Sequence, residues 1–228
     1  MLRAIIFDMD GVICDSEPLH MKAFQQVLRE DGIVLTDQEY YDKYLAFDDR
    51  GCFQAVWKEK GSPLDPKALE KLLDRKARCL DESMKNNLVI YPGVEAFVKK
   101  AREKYLLALA SGARRLEVEF VLKKANVRHS FTAVVSADDV KEGKPHPESF
   151  LVALKILNEW RLDGTPPLGP GDCVVIEDSK HGIAAARAAG MKSVAVTTSF
   201  KANELAAADL VIDSLVGLNL EKLEKLFI

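Results

Sequence analysis

The chain has 228 residues, of which 48% are hydrophobic and 29% are charged, and its formal net charge is −3. These values are those of an ordinary globular protein. The small negative charge gives no electrostatic reason for binding nucleic acid or an anionic membrane surface. We therefore expect a small-molecule ligand, no nucleic-acid or membrane partner, and a monomer.

The location of the protein is indicated by what the sequence lacks. No apolar run reaches the roughly 18 residues that span a bilayer, and the amino terminus enters a strand without a signal-peptide pattern. The expected location is the cytoplasm. The cysteines show no metal-ligand spacing, so we interpret them as reduced packing residues; they are Cys14, Cys52, Cys79 and Cys173.

Short apolar runs predict the strands. They contain Val, Ile, Leu and Ala without polar alternation, which is typical of parallel strands covered on both faces. In chain order they are Ala4–Phe7, Leu106–Ala110, Ala133–Val135, Cys173–Ile176, Val194–Thr197 and Leu210–Ile212.

Helical patterns separate most of these strands. They cover Glu117–Ala125, Glu148–Leu157 and Lys180–Ala189, and Gly190 follows the last as the expected left-handed cap. Alternating strands and helices predict an α/β fold with a doubly wound, Rossmann-like parallel sheet. The stretch from Asp163 to Asp172 is loop by composition.

One long segment breaks the alternation. Residues 16–89 contain helix signals and no convincing strand, so we predict a helical cap domain there, inserted after the first strand. Residues 1–15 and 90–228 would form the α/β core domain. The helix starts inside the insert are Ser16 with Pro18, Thr36 with Glu39 as a capping box, and Asp65 with Pro66.

Two aspartates, Asp8 and Asp10, directly follow the first predicted strand. A carboxylate can act as a nucleophile in phosphoryl transfer, where catalysis depends on alignment and charge neutralisation. Asp8 is the candidate nucleophile, and Asp10 is the candidate general acid and base. The alternative is a turn built from Asp and Gly.

Two further acids, Glu177 and Asp178, lie at the end of the fourth predicted strand. Since the carboxyl ends of parallel strands meet at one sheet edge, four carboxylates would converge there. Such a set favours Mg²⁺, a hard cation with oxygen ligands. Alternatively, Asp178 or Ser179 only caps the next helix.

An anion site is indicated by two other strand ends. Ser111 and Gly112 follow the second strand, where a hydroxyl and backbone N–H groups can bind an anion. Lys144 lies past the third strand, between Gly143 and Pro145, and could pair with a phosphate and the nucleophile. Alternatively, Ser111 is an ordinary N-cap and Lys144 a solvated surface residue.

Three residues of the insert are candidates for binding the substrate. His20 is the histidine we expect to face it. Arg50 and Lys76 could reach its far end. The other insert charges are expected on solvated faces.

Four segments in this order and spacing, FDMDGVICDSEPLH, ALASG, GKPHPESF and VVIEDSKHG, resemble the haloacid dehalogenase-like superfamily. The resemblance covers essentially the whole chain, and the insert matches the cap of the first subclass. The chain is most similar to the branch that holds β-phosphoglucomutase and small sugar-phosphate phosphatases.

The resemblance implies a Mg²⁺-dependent phosphotransferase. Asp8 would become an aspartyl phosphate, Asp10 would be the general acid and base, and Ser111 and Lys144 would hold the phosphoryl group. The magnesium ligands would be Asp8, the backbone carbonyl of Asp10, and Asp178, with Glu177 close by or bound through water.

Two departures from the family pattern concern the choice of reaction. Val12 replaces a threonine common in the phosphatases, although the mutase-like branch often has valine there. In the cap, YLAFDDRGCF places Arg50 one position from the arginine that binds the distal phosphate in β-phosphoglucomutase. We therefore expect a phosphatase acting on a small sugar or polyol phosphate, with a mutase as the alternative.

A second alternative is a non-catalytic phosphate-binding or receiver-like signalling domain. Receivers have adjacent acids after the first strand and no helical insert. Here Met9 separates the two acids, and the insert is large. The sequence therefore favours the enzyme.

Overall fold

A computed structural model describes residues 1–45, 47–61, 64–160 and 164–228. The strands are β1 (Ala4–Phe7), β2 (Cys14–Asp15), β3 (Val89–Ile90), β4 (Leu106–Ala110), β5 (Ala133–Val135), β6 (Cys173–Glu177), β7 (Lys192–Val196) and β8 (Leu210–Ile212). The helices are α1 (Glu17–Glu30), α2 (Asp37–Glu39), α3 (Asp49–Glu59), α4 (Pro66–Asn87), α5 (Val94–Arg102), α6 (Arg115–Lys124), α7 (Glu148–Glu159), α8 (Lys180–Ala188) and α9 (Leu220–Glu224). A π-helical turn, Tyr40–Tyr44, continues α2.

The chain divides into two compact units. One contains residues 1–15 and 89–228, and the other contains residues 16–88. In the first unit, β2 and β3 form a small antiparallel ribbon that pairs Cys14 with Ile90. The ribbon lies at the points where the chain leaves and re-enters the α/β unit.

A six-stranded sheet forms the α/β unit, with all its strands parallel, in the order β5-β4-β1-β6-β7-β8. Two strands differ from the apolar runs that predicted them. Strand β6 extends to Glu177, and β7 covers Lys192–Val196 instead of 194–197. Parallel pairing with β6 begins already at Lys192, so backbone hydrogen bonding, and not hydrophobicity, sets that boundary.

Both faces of the sheet are covered. Ile6 belongs to a cluster that includes Phe150 of α7, whereas the next residue, Phe7, packs edge-on against Phe97 of α5 and Phe131. Successive side chains of a strand point to opposite faces, so β1 is buried on two sides. The predicted doubly wound α/β fold is confirmed.

The second unit is helical over its described residues. Thr36 and Glu39 form the predicted capping box, and Asp65 caps α4 by accepting from the amide of Ala68. Ser16 is the N-cap residue of α1, but its side chain makes no capping bond. Helices α1 and α4 pack around Phe24, Leu69 and other apolar residues.

Two smaller expectations can also be compared with the structure. Gly190 follows α8 with φ +74°, the predicted left-handed cap. Within the predicted loop, Asp163 lies outside the described residues, and residues 170–172 form a 3₁₀ turn.

The helices that the structure describes include none with both the length and the apolar character needed to cross a bilayer.

Candidate active site

The register of the sheet brings the polar strand ends together. Phe7 of β1 pairs with Leu109 of β4 and with Ile176 of β6. Asp8, Ala110 and Glu177 are the next residues on these three adjacent parallel strands, so they lie side by side at the carboxyl edge. The sequence prediction that these segments converge therefore agrees with the structure.

Lys144 reaches this edge from the loop between β5 and α7. Its ammonium lies 2.6 Å from Asp8 Oδ1 and 2.7 Å from Glu177 Oε1, and it donates to the carbonyl of Ala110 at 3.2 Å. Its side chain is 14% exposed. The alternative of a solvated surface lysine is therefore wrong.

Both oxygens of the Glu177 carboxylate are engaged inside the α/β unit. Oε1 receives the Lys144 ammonium, while Oε2 accepts from the amides of Asp178 and Ser179 and from the Ser179 hydroxyl at 2.8–2.9 Å. Ser179 is also the N-cap of α8, since its Oγ accepts from the amide of Gly182. Glu177 is thus fixed by its own hydrogen bonds, and it positions the Lys144 ammonium.

Asp178 is the second buried acid at the end of β6, with 6% exposure. Its Oδ2 accepts a hydrogen bond from Ser199 and lies against the Cα atom of Gly11, where any Cβ would overlap it. Gly11 has φ +76°, a conformation that glycine adopts without strain. This glycine therefore makes room for the Asp178 carboxylate beside the turn that carries Asp10.

The buried charges shift the pKa values in opposite directions. Burial raises the pKa of Asp8 to about 7, with Glu177 and Asp10 adding to the rise and Lys144 opposing it. Burial and the neighbouring carboxylates of Glu177 and Asp8 also raise the pKa of Asp178. Burial alone would raise the pKa of Glu177, but the Lys144 ammonium overrides it and holds that pKa below its usual value.

The donor set fits a divalent cation. Asp8, Glu177 and Asp178 each place a carboxylate oxygen within 4.8 Å of the others, and all three residues are buried. Three buried carboxylates around the Lys144 ammonium leave an excess of negative charge, which a cation would neutralise. Carboxylate oxygens are ligands that suit Mg²⁺. Asp8 and Asp178 each have one oxygen that accepts a hydrogen bond from the protein, whereas both oxygens of Glu177 accept such bonds.

Asp10 lies in a tight turn between β1 and β2. In this turn the amide of Gly11 donates to the carbonyl of Cys14, and the amide of Ile13 donates to the carbonyl of Met9. Asp10 is partly exposed, unlike Asp8, which is 7% exposed. The two acids of the FDMDG segment therefore occupy different environments, one buried and one accessible to solvent.

Ser111 is buried but is not the N-cap of the following helix. Its Oγ accepts from the amide of Ala113 at 3.0 Å, and the N-cap position of α6 is Arg114. The N-cap alternative for Ser111 is therefore wrong. Gly112 beside it has open space, because a Cβ built there would have no atom of the described residues within 4 Å.

The insert residues His20 and Lys76 are neighbours in the helical unit. The Lys76 side chain is fully buried, and its ammonium lies 2.7 Å from His20 Nδ1 and 2.7 Å from Asp49 Oδ1. It also lies 4.8 Å from the centre of the Phe24 ring. Lys76 is thus the centre of a buried polar cluster, and its contact with a substrate stays a prediction.

Arg50, the third insert candidate, is exposed. It forms an ion pair with Glu70 at 2.7 Å, with both side chains more than half exposed. The arginine is therefore held on a solvated face of the helical unit. Its proposed role toward a substrate is a prediction.

Two residues of the edge escaped the sequence analysis. Ser199 binds Asp178, and Thr198 Oγ1 donates to the carbonyl of Gly11 at 2.6 Å. Both follow β7, so the rule that identified the polar residues after four other strands would have found them. They were not predicted because no acid follows this strand and hydroxyl residues are common in turns.

Comparison with known proteins identifies the family. The model of the family described as haloacid dehalogenase-like hydrolase matches residues 5–196. The chain belongs to this family. The expected family and the expectation of an enzyme of this hydrolase class are therefore confirmed, and membership favours the enzyme over a receiver-like domain.

Named relatives of this haloacid dehalogenase-like hydrolase include phosphatases. Fructose-1-phosphate phosphatase YqaB of Escherichia coli (strain K12) is 34% identical over 84% of this chain and 95% of its own length. Hexitol phosphatase B of the same strain is 30% identical over 97% of this chain and 96% of its own length. The chain also matches Protein SUPPRESSOR OF QUENCHING 1, chloroplastic, of Arabidopsis thaliana at 35% identity, but spans 18% of that longer protein.

A solved structure supports the fold. The crystal structure of β-phosphoglucomutase from Clostridium difficile has a TM-score of 0.85 and 25% sequence identity, covering 100% of this chain and 97% of that one. The haloacid dehalogenase-like hydrolase described here is thus similar both to phosphatases and to a phosphosugar mutase.

Proposed function

We propose that the protein is a Mg²⁺-dependent phosphatase that hydrolyses a small phosphate monoester through an aspartyl phosphate on Asp8. The observation that carries the proposal is the pairing of Asp8 with Lys144 at 2.6 Å inside a cluster with excess buried carboxylate. Lys144 holds one oxygen of Asp8, which leaves the other oxygen for attack. Phosphoryl transfer needs such alignment more than it needs covalent assistance.

In the first step, the free oxygen of Asp8 attacks phosphorus. The bond between phosphorus and the ester oxygen breaks, and its electron pair goes to the leaving alcohol, which takes a proton from Asp10. In the second step, a water molecule gives a proton to Asp10 and attacks phosphorus, and the bond to Asp8 breaks. Inorganic phosphate leaves, and both aspartates return to their starting states.

The protein groups around Asp8 match the charges of these steps. Lys144, and the hydroxyl of Ser111 with the adjacent amide of Gly112, would bind the phosphoryl oxygens. Mg²⁺, held by Asp8, Asp178 and the carbonyl of Asp10, would neutralise negative charge on the phosphoryl group. Glu177 holds Lys144 between itself and Asp8.

The relatives indicate the substrate class. Two of them are named as phosphatases of fructose 1-phosphate and of hexitol phosphates. This chain matches 95% and 96% of their lengths. We therefore infer a sugar or polyol phosphate for this chain. A mutase is the second candidate, because the structure of β-phosphoglucomutase is similar along its whole length.

The test is phosphate release from fructose 1-phosphate, glucose 1-phosphate, sorbitol 6-phosphate, phosphoglycolate and a nucleotide, with Mg²⁺ and with EDTA. We expect release that requires Mg²⁺ and is abolished by Asp8→Asn. Asp74→Asn is the matched control, because Asp74 is exposed and its side chain has no ion pair in the described part of the chain. Turnover by Asp8→Asn would overturn the assignment of Asp8 as the nucleophile. Conversion of β-glucose 1-phosphate to glucose 6-phosphate without phosphate release would favour the mutase.

A further inference from the structure

The segment after β7 contacts both acid-bearing turns of the candidate active site. Thr198 Oγ1 donates to the carbonyl of Gly11, the residue after Asp10, at 2.6 Å. Ser199 Oγ donates to Oδ2 of Asp178. Two adjacent hydroxyls of one loop thus join the turn after β1 to the end of β6.

The bond from Ser199 fixes which oxygen of Asp178 is presented. Oδ2 is occupied by the Ser199 hydroxyl and by close packing against Gly11. Oδ1 accepts no hydrogen bond from the described residues. The carboxylate is therefore oriented with one oxygen bound to the protein and the other left for a ligand.

The hydrogen bond from Thr198 acts on the turn that carries Asp10. The Asp10–Gly11 segment forms a tight turn, and Gly11 also donates its amide to the carbonyl of Cys14. With its carbonyl bound by Thr198, both polar groups of Gly11 are engaged. The Gly11 amide bond restrains the peptide unit that contains the Asp10 carbonyl, and the Thr198 bond restrains the next peptide unit, between Gly11 and Val12. Both peptide units of Gly11 are thus fixed, and with them the direction of the Asp10 carbonyl.

We propose that Ser199 and Thr198 are positioning residues for the cation site, which set the orientation of Asp178 and of the turn carrying Asp10. This inference rests on the Mg²⁺ site of the proposed function. Groups that hydrogen-bond to metal-ligating carboxylates orient them, and their loss typically weakens metal binding by about 10–100-fold. Because Ser199 and Thr198 are otherwise exposed, their hydroxyls have no comparable role in packing the core.

The test compares substitutions of equal shape. Ser199→Thr keeps a hydroxyl at position 199, and Ser199→Val replaces it with a methyl group in a side chain of the same size. Thr198→Val makes the same change at position 198. Thr197→Val is the control, because the Thr197 hydroxyl contacts Asp213 at 3.4 Å and not the acidic cluster.

The readout is the Kd for Mg²⁺ alone, measured by isothermal titration calorimetry on the full chain. We expect Ser199→Val to bind Mg²⁺ about 10-fold or more weakly than Ser199→Thr, and Thr198→Val to bind it more weakly than the wild type. Thr197→Val should bind like the wild type. In turnover, the Mg²⁺ concentration for half-maximal rate should rise in Ser199→Val, while kcat at saturating Mg²⁺ changes much less.

Each outcome decides a different point. Equal Kd values for Ser199→Thr and Ser199→Val would overturn the role of Ser199, and wild-type affinity in Thr198→Val would overturn that of Thr198. In both cases, Mg²⁺ binding by the wild type would leave the proposed function intact. A wild type that binds no Mg²⁺ would overturn the cation site itself and this inference with it.

Discussion

Gly182 of α8 lies directly against the carboxylate of Glu177, and a Cβ atom built on the glycine would overlap both carboxylate oxygens. The absence of a side chain at position 182 therefore allows Glu177 to reach the Lys144 ammonium at 2.7 Å. A helical glycine far from Asp8 in sequence thus contributes to the geometry of Asp8, through Glu177 and Lys144.

Gly182→Ala tests this relationship. Alanine usually stabilises a helix by about 1 kcal/mol relative to glycine, but overlap with a buried group costs about 1–3 kcal/mol. We expect a net loss of stability and at least about a tenfold loss in kcat/KM, equivalent to roughly 1.4 kcal/mol. Thermal melting and steady-state kinetics measure the two effects. Gly171→Ala is the control, because its Cβ would have open space among the described residues; equal kinetics for both variants would contradict the expectation.

Lys144→Met should lower the free energy of unfolding, because it leaves buried acids without their cation. Removing the ammonium leaves Asp8 and Glu177 without their shared cation, and breaking a buried pair costs about 3–5 kcal/mol. Without Lys144, the pKa values of both acids rise, so the folded state binds more protons than the unfolded state. Stability is therefore lost as the pH rises, and the defect should be larger at pH 8 than at pH 5.

Urea unfolding at the two pH values checks this prediction. Lys192→Met is the matched control, since Lys192 pairs with Asp209 at a partly exposed position. Such a pair contributes about 0–1 kcal/mol. A pH-independent loss in Lys144→Met would show that the defect comes from packing and not from charge.

Mg²⁺ binding should depend on pH through Asp8. Its pKa is raised from 3.8 to about 7 without metal, so below pH 7 a proton competes with the cation for the carboxylate. The apparent affinity should therefore increase as the pH rises through 7. Calorimetric titrations at pH 5.5, 6.5, 7.5 and 8.5 measure this dependence. Asp8→Asn should reduce this dependence, and the remainder would come from Asp178, whose pKa burial and the neighbouring carboxylates also raise. A wild-type affinity equal at pH 5.5 and pH 8.5 would contradict the prediction.

Substitution of Lys76, the buried lysine of the helical unit, should affect stability and activity differently. Lys76→Met replaces the buried ammonium with an apolar side chain of similar volume and leaves behind the Asp49 carboxylate, which is 43% exposed and can be hydrated. Unlike the loss of Lys144, this change leaves no fully buried charge without its partner. We expect its melting temperature to be unchanged or higher and its kcat/KM to fall, if Lys76 contacts the substrate as predicted. Asp49→Asn, which leaves the lysine charge buried beside His20, should instead lower the melting temperature. Wild-type kcat/KM in Lys76→Met would remove Lys76 from the substrate site.

Local patterns were enough to predict the elements that form by short-range rules. The run Ala4–Phe7 is a strand at the predicted bounds, and Thr36 with Glu39 caps a helix as predicted, because apolar periodicity and capping act within a few residues. The position of Asp8, Ser111, Glu177 and Asp178 at one sheet edge also follows from sequence, since each comes at the end of a parallel strand.

The partners of these residues could be known only from the tertiary structure. The sequence places Lys144 in a loop 136 positions after Asp8, and only the strand order brings its ammonium to Asp8 and Glu177. The same holds for Ser199, because β7 lies next to β6, and for Lys76, a candidate substrate-binding residue whose ammonium is buried against Asp49. The sequence alone therefore determined the strands, the caps and the acids at their ends. The tertiary structure decided which groups hold those acids, because hydrogen bonds between distant segments depend on strand order and side-chain direction, which local patterns do not encode.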